Sequence, residues 1–216
     1  LWACSDELPA RAPTPPQDSG CEGEASAPVD PRTFYVRAQG DDAADGRSPE
    51  RAWRSLARVN QEQLSPGDSV LLEAAASFSG SLQLDPQDSG SRQAPVRIAA
   101  FGDGRAQIDA QAGSALVIHG ASHVIIEQLQ LRGAWDAQLQ SGNDGEGVSV
   151  LSDVSGTRAC GLRLRELEVS GFKRAGIALR AQPADDAKSS GYADVEIRAS
   201  EVHDNGDVGV LTDGPF

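Results

Sequence analysis

The chain has 216 residues, 39% of them apolar and 24% charged, with 23 glycines and 5% aromatics, enough for one domain with an aliphatic core and many turns. Its net charge of −13 repels phosphate backbones, so no nucleic-acid partner is expected, and it repels acidic polysaccharides unless a cation or a local basic strip intervenes. No apolar run approaches the roughly 18 residues of a membrane span, and the three cysteines show none of the CxxC spacing of zinc and redox motifs.

In chain order, "LWAC" resembles the lipobox of a bacterial lipoprotein, with Cys4 as the lipidated residue. Ser5 to Pro31 is rich in Pro, Ala, Ser and acidic residues, too polar to offset its chain entropy by burial. Residues 1–32 are therefore expected to be a lipobox remnant and a disordered tether. On that reading the protein sits in the bacterial cell envelope, lipid-anchored at the outer membrane or cell surface, or is secreted. Membrane contact comes only through Cys4. A cysteine of no consequence in a disordered terminus is the alternative. With Cys4 set aside, Cys21 and Cys160 either pair or stay as free thiols.

From Thr33 the texture changes. "TFYVRAQG" alternates as a strand does, and "GDDAADG" follows. Its Asp41, Asp42 and Asp45 are acidic enough for Ca²⁺, although the glutamate of an EF-hand is absent; a turn into a helix accounts for them as well. Ser48 suits an N-cap and Pro49 the first helical position. Trp53, Leu56, Ala57 and Asn60 then fall at i, i+3, i+4 and i+7, which predicts a short amphipathic helix. "LSPGDSVLLEA" turns at Pro66-Gly67 into an apolar strand, and "APVRIAAFGDGRAQIDA" and "SALVIHGASHVIIEQLQLRG" supply further short strands.

A repeat organises the rest. "LRLRELEVSGFKRAGIALR" from Leu162 aligns without a gap on "VEIRASEVHDNGDVGVLTD" from Val195, and "VIIEQLQLRG" from Val124 matches the start of the same unit. Apolar residues alternate (Leu162, Leu164, Leu167, Val169), which favours strands over ankyrin-type helix pairs. One such unit cannot bury its apolar side alone, whereas stacked coils can, with adjacent strands about 4.8 Å apart.

In this setting "FYVRAQGDDAADGRSPERAWRSLARVN", "LSPGDSVLLEAAASFSGSL" and "APVRIAAFGDGRAQIDA" resemble the start of right-handed parallel β-helix proteins of the pectin-lyase-like superfamily, some of them chondroitinase- or alginate-lyase-like. The resemblance covers residues 33–216. It implies an all-β, right-handed parallel β-helix solenoid, with the Trp53 helix plugging its N-terminal end and protecting the first open edge. "VGVLTDGPF" stops within a rung, so a chain truncated at both ends is expected. The family likeness also implies a monomer acting on polysaccharide, most simply by uronate β-elimination, with Ca²⁺ as a possible cofactor. A non-catalytic spacer, adhesin or glycan-binding module is the alternative.

The alignment sorts outward residues into ladders: Ile125, Arg163 and Glu196; Glu127, Arg165 and Arg198; Gln130, Glu168 and Glu201. Opposite charges on adjacent rungs, as in Glu127–Arg165 and Arg163–Glu196, favour stacking. Arg165 and Arg198 are candidates to hold a uronate carboxylate. The turns "SGFKRAG" and "VHDNGDVG" occupy equivalent places, and Lys173, Arg174, His203 and Asp204 are the candidates for base and charge neutralisation. Insertions at 134–146 and 182–192 interrupt the repeat, and they bring Trp135 and Tyr192 as candidates to contact sugar. His119 and His123, flanking "GAS", read as structural.

Overall fold

The computed structural model describes residue 21 and residues 30–153, 158–182 and 190–214. Cys4, most of the tether and most of the insertion 182–192 lie outside the described residues. After β1 (Thr33–Val36) and the cap, the alternating segments form coils of three strands each. These are β2 (Ser69–Glu73), β3 (Ser77–Ser79) and β4 (Leu82–Leu84); β5 (Val96–Phe101), β6 (Ala106–Asp109) and β7 (Leu116–His119); β8 (Val124–Glu127), β9 (Leu129–Arg132) and β10 (Val148–Ser152). Two more coils follow: β11 (Arg158–Arg165), β12 (Glu168–Ser170) and β13 (Ala175–Ala181); β14 (Gly191–Arg198), β15 (Glu201–His203) and β16 (Val208–Asp213).

Equivalent strands of successive coils pair in parallel. Sheet one is β1-β2-β5-β8-β11-β14, sheet two β3-β6-β9-β12-β15, and sheet three β4-β7-β10-β13-β16. The expected alignment holds residue for residue: Leu162 stacks on Val195, Val169 on Val202 and Ile177 on Val210. The core is three columns of like side chains. Val70, Ile98, Ile126 and Leu164 line sheet one; Phe78, Ile108, Leu131 and Val169 line sheet two; Leu82, Leu116, Val148 and Ile177 line sheet three. None of these side chains is more than 3% exposed. Each coil thus completes the burial of its apolar face by stacking on its neighbours, the usual condition of a solenoid. β14, β15 and β16 are the edge strands at the far end, where Val208 and Val210 are 39% and 49% exposed. No described helix is long and apolar enough to cross a membrane.

Sheets one and two meet at a corner built on left-handed backbone. Ala75, Gln128, Glu166 and Ala199 occupy equivalent places at φ of 58°, 58°, 52° and 50°. The amide of Gln128 donates to Arg165 O and that of Glu166 to Arg198 O, so each corner is held by the next coil. A second column in the same conformation, His123, Gly161 and Asp194, bends the chain ahead of the sheet one ladder.

The cap plugs the end of the coil as expected, but its shape differs from the predicted helix. Pro49–Arg51 form one turn of 3₁₀-helix, and α1 (Leu56–Val59) is a separate four-residue helix. Between them Trp53 runs extended and bridges Val36 as a parallel strand residue. The cause is Asp42. Its carboxylate accepts from Arg54 N at 2.8 Å and from Ser55 N at 3.0 Å, and from Ser55 Oγ at 2.8 Å. Those amides are thereby satisfied outside a helix, and Ser55 becomes the N-cap of α1. Trp53 is fully buried, stacks on Phe34 at 4.7 Å and donates its Nε1 to Ala44 O at 3.0 Å. The "PGD" turn has its own purpose: buried Asp68 accepts from Arg32 N, from the Arg32 guanidinium and from Ser65 N, which fastens β1 to β2.

Cys21 and Cys160, left open by the sequence, form a disulfide. It pins a residue of the N-terminal segment to β11.

Candidate functional site

The outward face of sheet one carries the arginine ladders. Arg97, Ile125, Arg163 and Glu196 make one column, and Glu127, Arg165 and Arg198 the next. Arg163 pairs with Glu196 at 3.3 Å, as the ladder predicts, and also with Asp194. Glu127 does not close on Arg165. It binds Arg97 at 2.6 Å, while Arg165 reaches diagonally to Glu196 at 2.8 Å, because a guanidinium on a long stem spans both columns. The hydrogen bond from Arg165 and the surrounding arginines hold the Glu196 carboxyl below the usual carboxylate range. Arg198 is exposed and makes no ion pair among the described residues.

Beside these ladders lies a pocket of about 150 Å³, lined by Arg92, His123, Ile125, Arg163, Arg165 and Asp194 among others. The left-handed column builds it. A Cβ on Gly161 would lie 2.5 Å from His123 Nδ1, so the imidazole rests on bare backbone. Arg165 Nε is buried with no hydrogen-bond partner among the described residues. Exposed Arg92 has no ion pair there either. The pocket therefore gathers guanidinium donors and an imidazole, the groups that receive an anionic ligand. Sequence reasoning found Arg165 but took His123 as structural and missed Arg92.

The remaining candidates lie elsewhere. Lys173 Nζ is 2.9 Å from Asp144 and 5.1 Å above the Trp135 ring, and the insertion 134–146 folds back so that Trp135 N donates to Gly171 O. Trp135 and Lys173 are thus brought together, with exposed Arg174 next in the turn. The hydrogen bond and charge of Lys173 hold Asp144 below its usual range. His203 and Asp204 sit at the outer edge of sheet two, 2.8 Å apart, with His203 Nε2 3.9 Å from Glu168. The base candidates therefore do not face the arginine pocket. Tyr192 is corrected as a sugar contact: it packs partly buried against the core, where burial pushes its phenol well above the usual range.

The three aspartates proposed for Ca²⁺ do not converge. Asp41 accepts from Ala43 N, Asp42 serves Arg54 and Ser55, and Asp45 accepts from Arg47 N and Arg51 Nε. Among the described residues no group of three His, Cys, Asp or Glu side chains is placed to hold a metal ion.

One ion pair lay outside the sequence reading because the insertion hides its ladder position. Glu146, 3% exposed, receives both terminal nitrogens of Arg180. Burial pushes its carboxyl up, but the hydrogen bonds of Arg180 and Ser149 and the charges of Arg180 and Arg174 outweigh this and hold it below its usual value of 4.5. A carboxyl lowered on folding stabilises above its unfolded pKa, and the gain is lost as pH falls through the folded one. Glu146→Gln is expected to cost about 2 kcal/mol at neutral pH. In urea melts the gap to the parent should shrink as pH drops below the ordinary carboxylate range.

No protein-family profile matches the chain. Over 74 residues, 33% of the chain, it is 43% identical to a lacto-N-biosidase of Bifidobacterium longum subsp. longum, and the match covers 5% of that protein. Among solved structures it is similar to a GH136 lacto-N-biosidase from Eubacterium ramulus, at TM-score 0.61 and 22% identity, covering 78% of this chain and 34% of that one. It is similar also to a rhamnogalacturonan lyase, at TM-score 0.50 and 12% identity, over 85% of this chain and 62% of that one. The fold is that of the parallel β-helix proteins. At these identities the structural likeness carries the fold alone, and the chain spans only a small part of the curated relative it matches.

Proposed function

We propose that this β-helix acts on carbohydrate outside the cytosol, on the outer face of sheet one, and that its reaction is uronate β-elimination. The observation that carries this is the gathering of Arg92, Arg163, Arg165 and His123 round one pocket of a chain with net charge −13. The overall field disfavours an anion, so a local cluster of guanidinium groups supplies the attraction a uronate carboxylate needs. Neutralising that carboxylate acidifies the C–H beside it. His123 is the group in the pocket that takes this proton; the electron pair forms the C4=C5 double bond, the C4–O bond breaks, and the departing glycosidic oxygen takes a proton from solvent. The names of the relatives, a lacto-N-biosidase and a rhamnogalacturonan lyase, support carbohydrate as the substrate class. The disulfide supports an oxidising compartment, in keeping with a monomer held at the cell envelope by a lipid on Cys4, or secreted.

The test is incubation with polygalacturonate, alginate and chondroitin, with and without Ca²⁺. The expected result is an unsaturated, ultraviolet-absorbing product, reduced at least about 100-fold by Arg165→Ala or His123→Ala. No unsaturated product from any of them removes the lyase reading. New reducing ends without unsaturation would place the chemistry with glycoside hydrolysis. A second reading, a non-catalytic glycan-binding module, adhesin or spacer, is favoured by one observation: Arg163 and Arg165 already bond Asp194 and Glu196, as charges that only stack coils do. It predicts binding without turnover.

A further inference from the structure

We propose a second carbohydrate site, selective for the hydroxyls of a neutral sugar, in the groove over the corner between sheets one and two. It rests on the reading that the protein acts on carbohydrate, and it is distinct from the arginine pocket. The groove holds about 490 Å³ and is lined by Gly104, Arg105, Gln128, Gln130, Glu166 and Glu168.

Three successive coils organise these side chains before any ligand arrives. Arg105 donates its Nε to Glu166 O at 2.9 Å and its Nη1 to Glu168 Oε2 at 3.2 Å. Gln130 Nε2 donates to the other Glu168 oxygen at 2.6 Å. Arginine, carboxylate and amide, each planar, are thereby locked in one relay across the rungs. The left-handed backbone at Gln128 and Glu166 fixes where their side chains leave the chain. What the relay leaves uncommitted points to a ligand. The Gln130 side-chain oxygen, the whole side-chain amide of Gln128 and the Glu166 carboxylate have no hydrogen-bond partner among the described residues. At Gly104 a Cβ would meet nothing within 4 Å, so the groove opens there without obstruction.

Amide and carboxylate forks match adjacent hydroxyls of a pyranose, one accepting where the other donates. Charge selects the class. Glu166 and Glu168 outweigh Arg105, so the groove carries a net negative charge, the reverse of the arginine pocket, and a uronate or sulfate is repelled where an uncharged sugar is not. A chain of mixed composition would place its acidic unit on sheet one and a neutral unit at the corner.

The experiment titrates the whole chain with cellotetraose, chitotetraose and tetragalacturonate, followed by NMR of the Gln side-chain amides and by calorimetry. A neutral oligosaccharide is expected to shift the Gln128 and Gln130 amide signals. Glu166→Ala and Glu168→Gln should each weaken it about tenfold and leave tetragalacturonate unchanged, while Arg165→Ala does the opposite. Glu166→Ala removes a carboxylate with no partner, so it keeps the test independent of folding, and thermal melts check both variants. Tetragalacturonate binding with no neutral sugar bound, or neutral binding indifferent to both corner variants, overturns the corner site alone. Failure of every oligosaccharide to bind overturns the carbohydrate reading beneath it.

Discussion

Trp53→Ala is expected to destabilise the protein by about 3–5 kcal/mol, the range for removing a large aromatic from a packed interior. The side chain is fully buried, stacked on Phe34 and covered by the Arg58 guanidinium at 4.2 Å. Little around it can collapse into the space. Gly46, at φ of 71°, passes so close that a Cβ there would lie 2.5 Å from the indole. Urea denaturation followed by circular dichroism measures the loss. The same change weakens the bridge to Val36 at the open edge of β1, so the variant should also self-associate in light scattering while the parent does not. A loss under about 1 kcal/mol would mean that the cap is not part of the cooperative unit.

Cys160→Ser is expected to cost about 2–5 kcal/mol. The bond joins residues 139 apart in sequence, and the chain-entropy relation puts the gain from closing such a loop at about 5 kcal/mol as an upper value. Cys21→Ser should match it, and the double variant should add nothing, since both remove one bond. Parent protein melted in a dithiol reductant should coincide with the variants. A parent indifferent to reductant, with free thiols by titration, would show that the pair is not joined in the native protein and would remove the support it gives to an oxidising compartment.

The coils were legible because their code is simple. Residues such as Leu162, Leu164 and Val169 recur on the next rung with the same side inward, and a solenoid has only to stack like on like. The cap was legible in purpose and not in form. The spacing of Trp53, Leu56 and Asn60 is helical, yet Asp42, a dozen residues earlier, captures the amides on which one continuous helix would depend. Ladder columns could be read off the alignment, but the diagonal from Arg165 to Glu196 could not, since it depends on how a flexible arginine turns. His123 escaped because its place in the pocket comes from a backbone bend shared with Gly161 and Asp194, and nothing in a histidine followed by a strand announces that bend. Tyr192 was assigned to the wrong side of an insertion boundary: it belongs to the start of β14 rather than to the end of the loop. Glu146 and Arg180 meet only after a loop of irregular length has closed, and no periodicity reports that.

The left-handed corner between sheets one and two sets a rule for how this molecule can vary. There the sidedness of one strand is handed to the next through a single residue such as Gln128 or Glu166. One added residue at that corner would exchange inside and outside along the following strand, turning Leu129 and Leu131 to solvent and Gln130 into the core. The turns after sheets two and three face no such arithmetic, and both insertions lie there. Where the first two coils lengthen the corner between sheets one and two, the whole connection differs: residues 74–76 and 102–105 join the strands there, the second with Gly102 and Gly104 in left-handed backbone. At the tight corners of the three later coils, novelty has to come by exchanging one side chain for another on a frame of constant spacing.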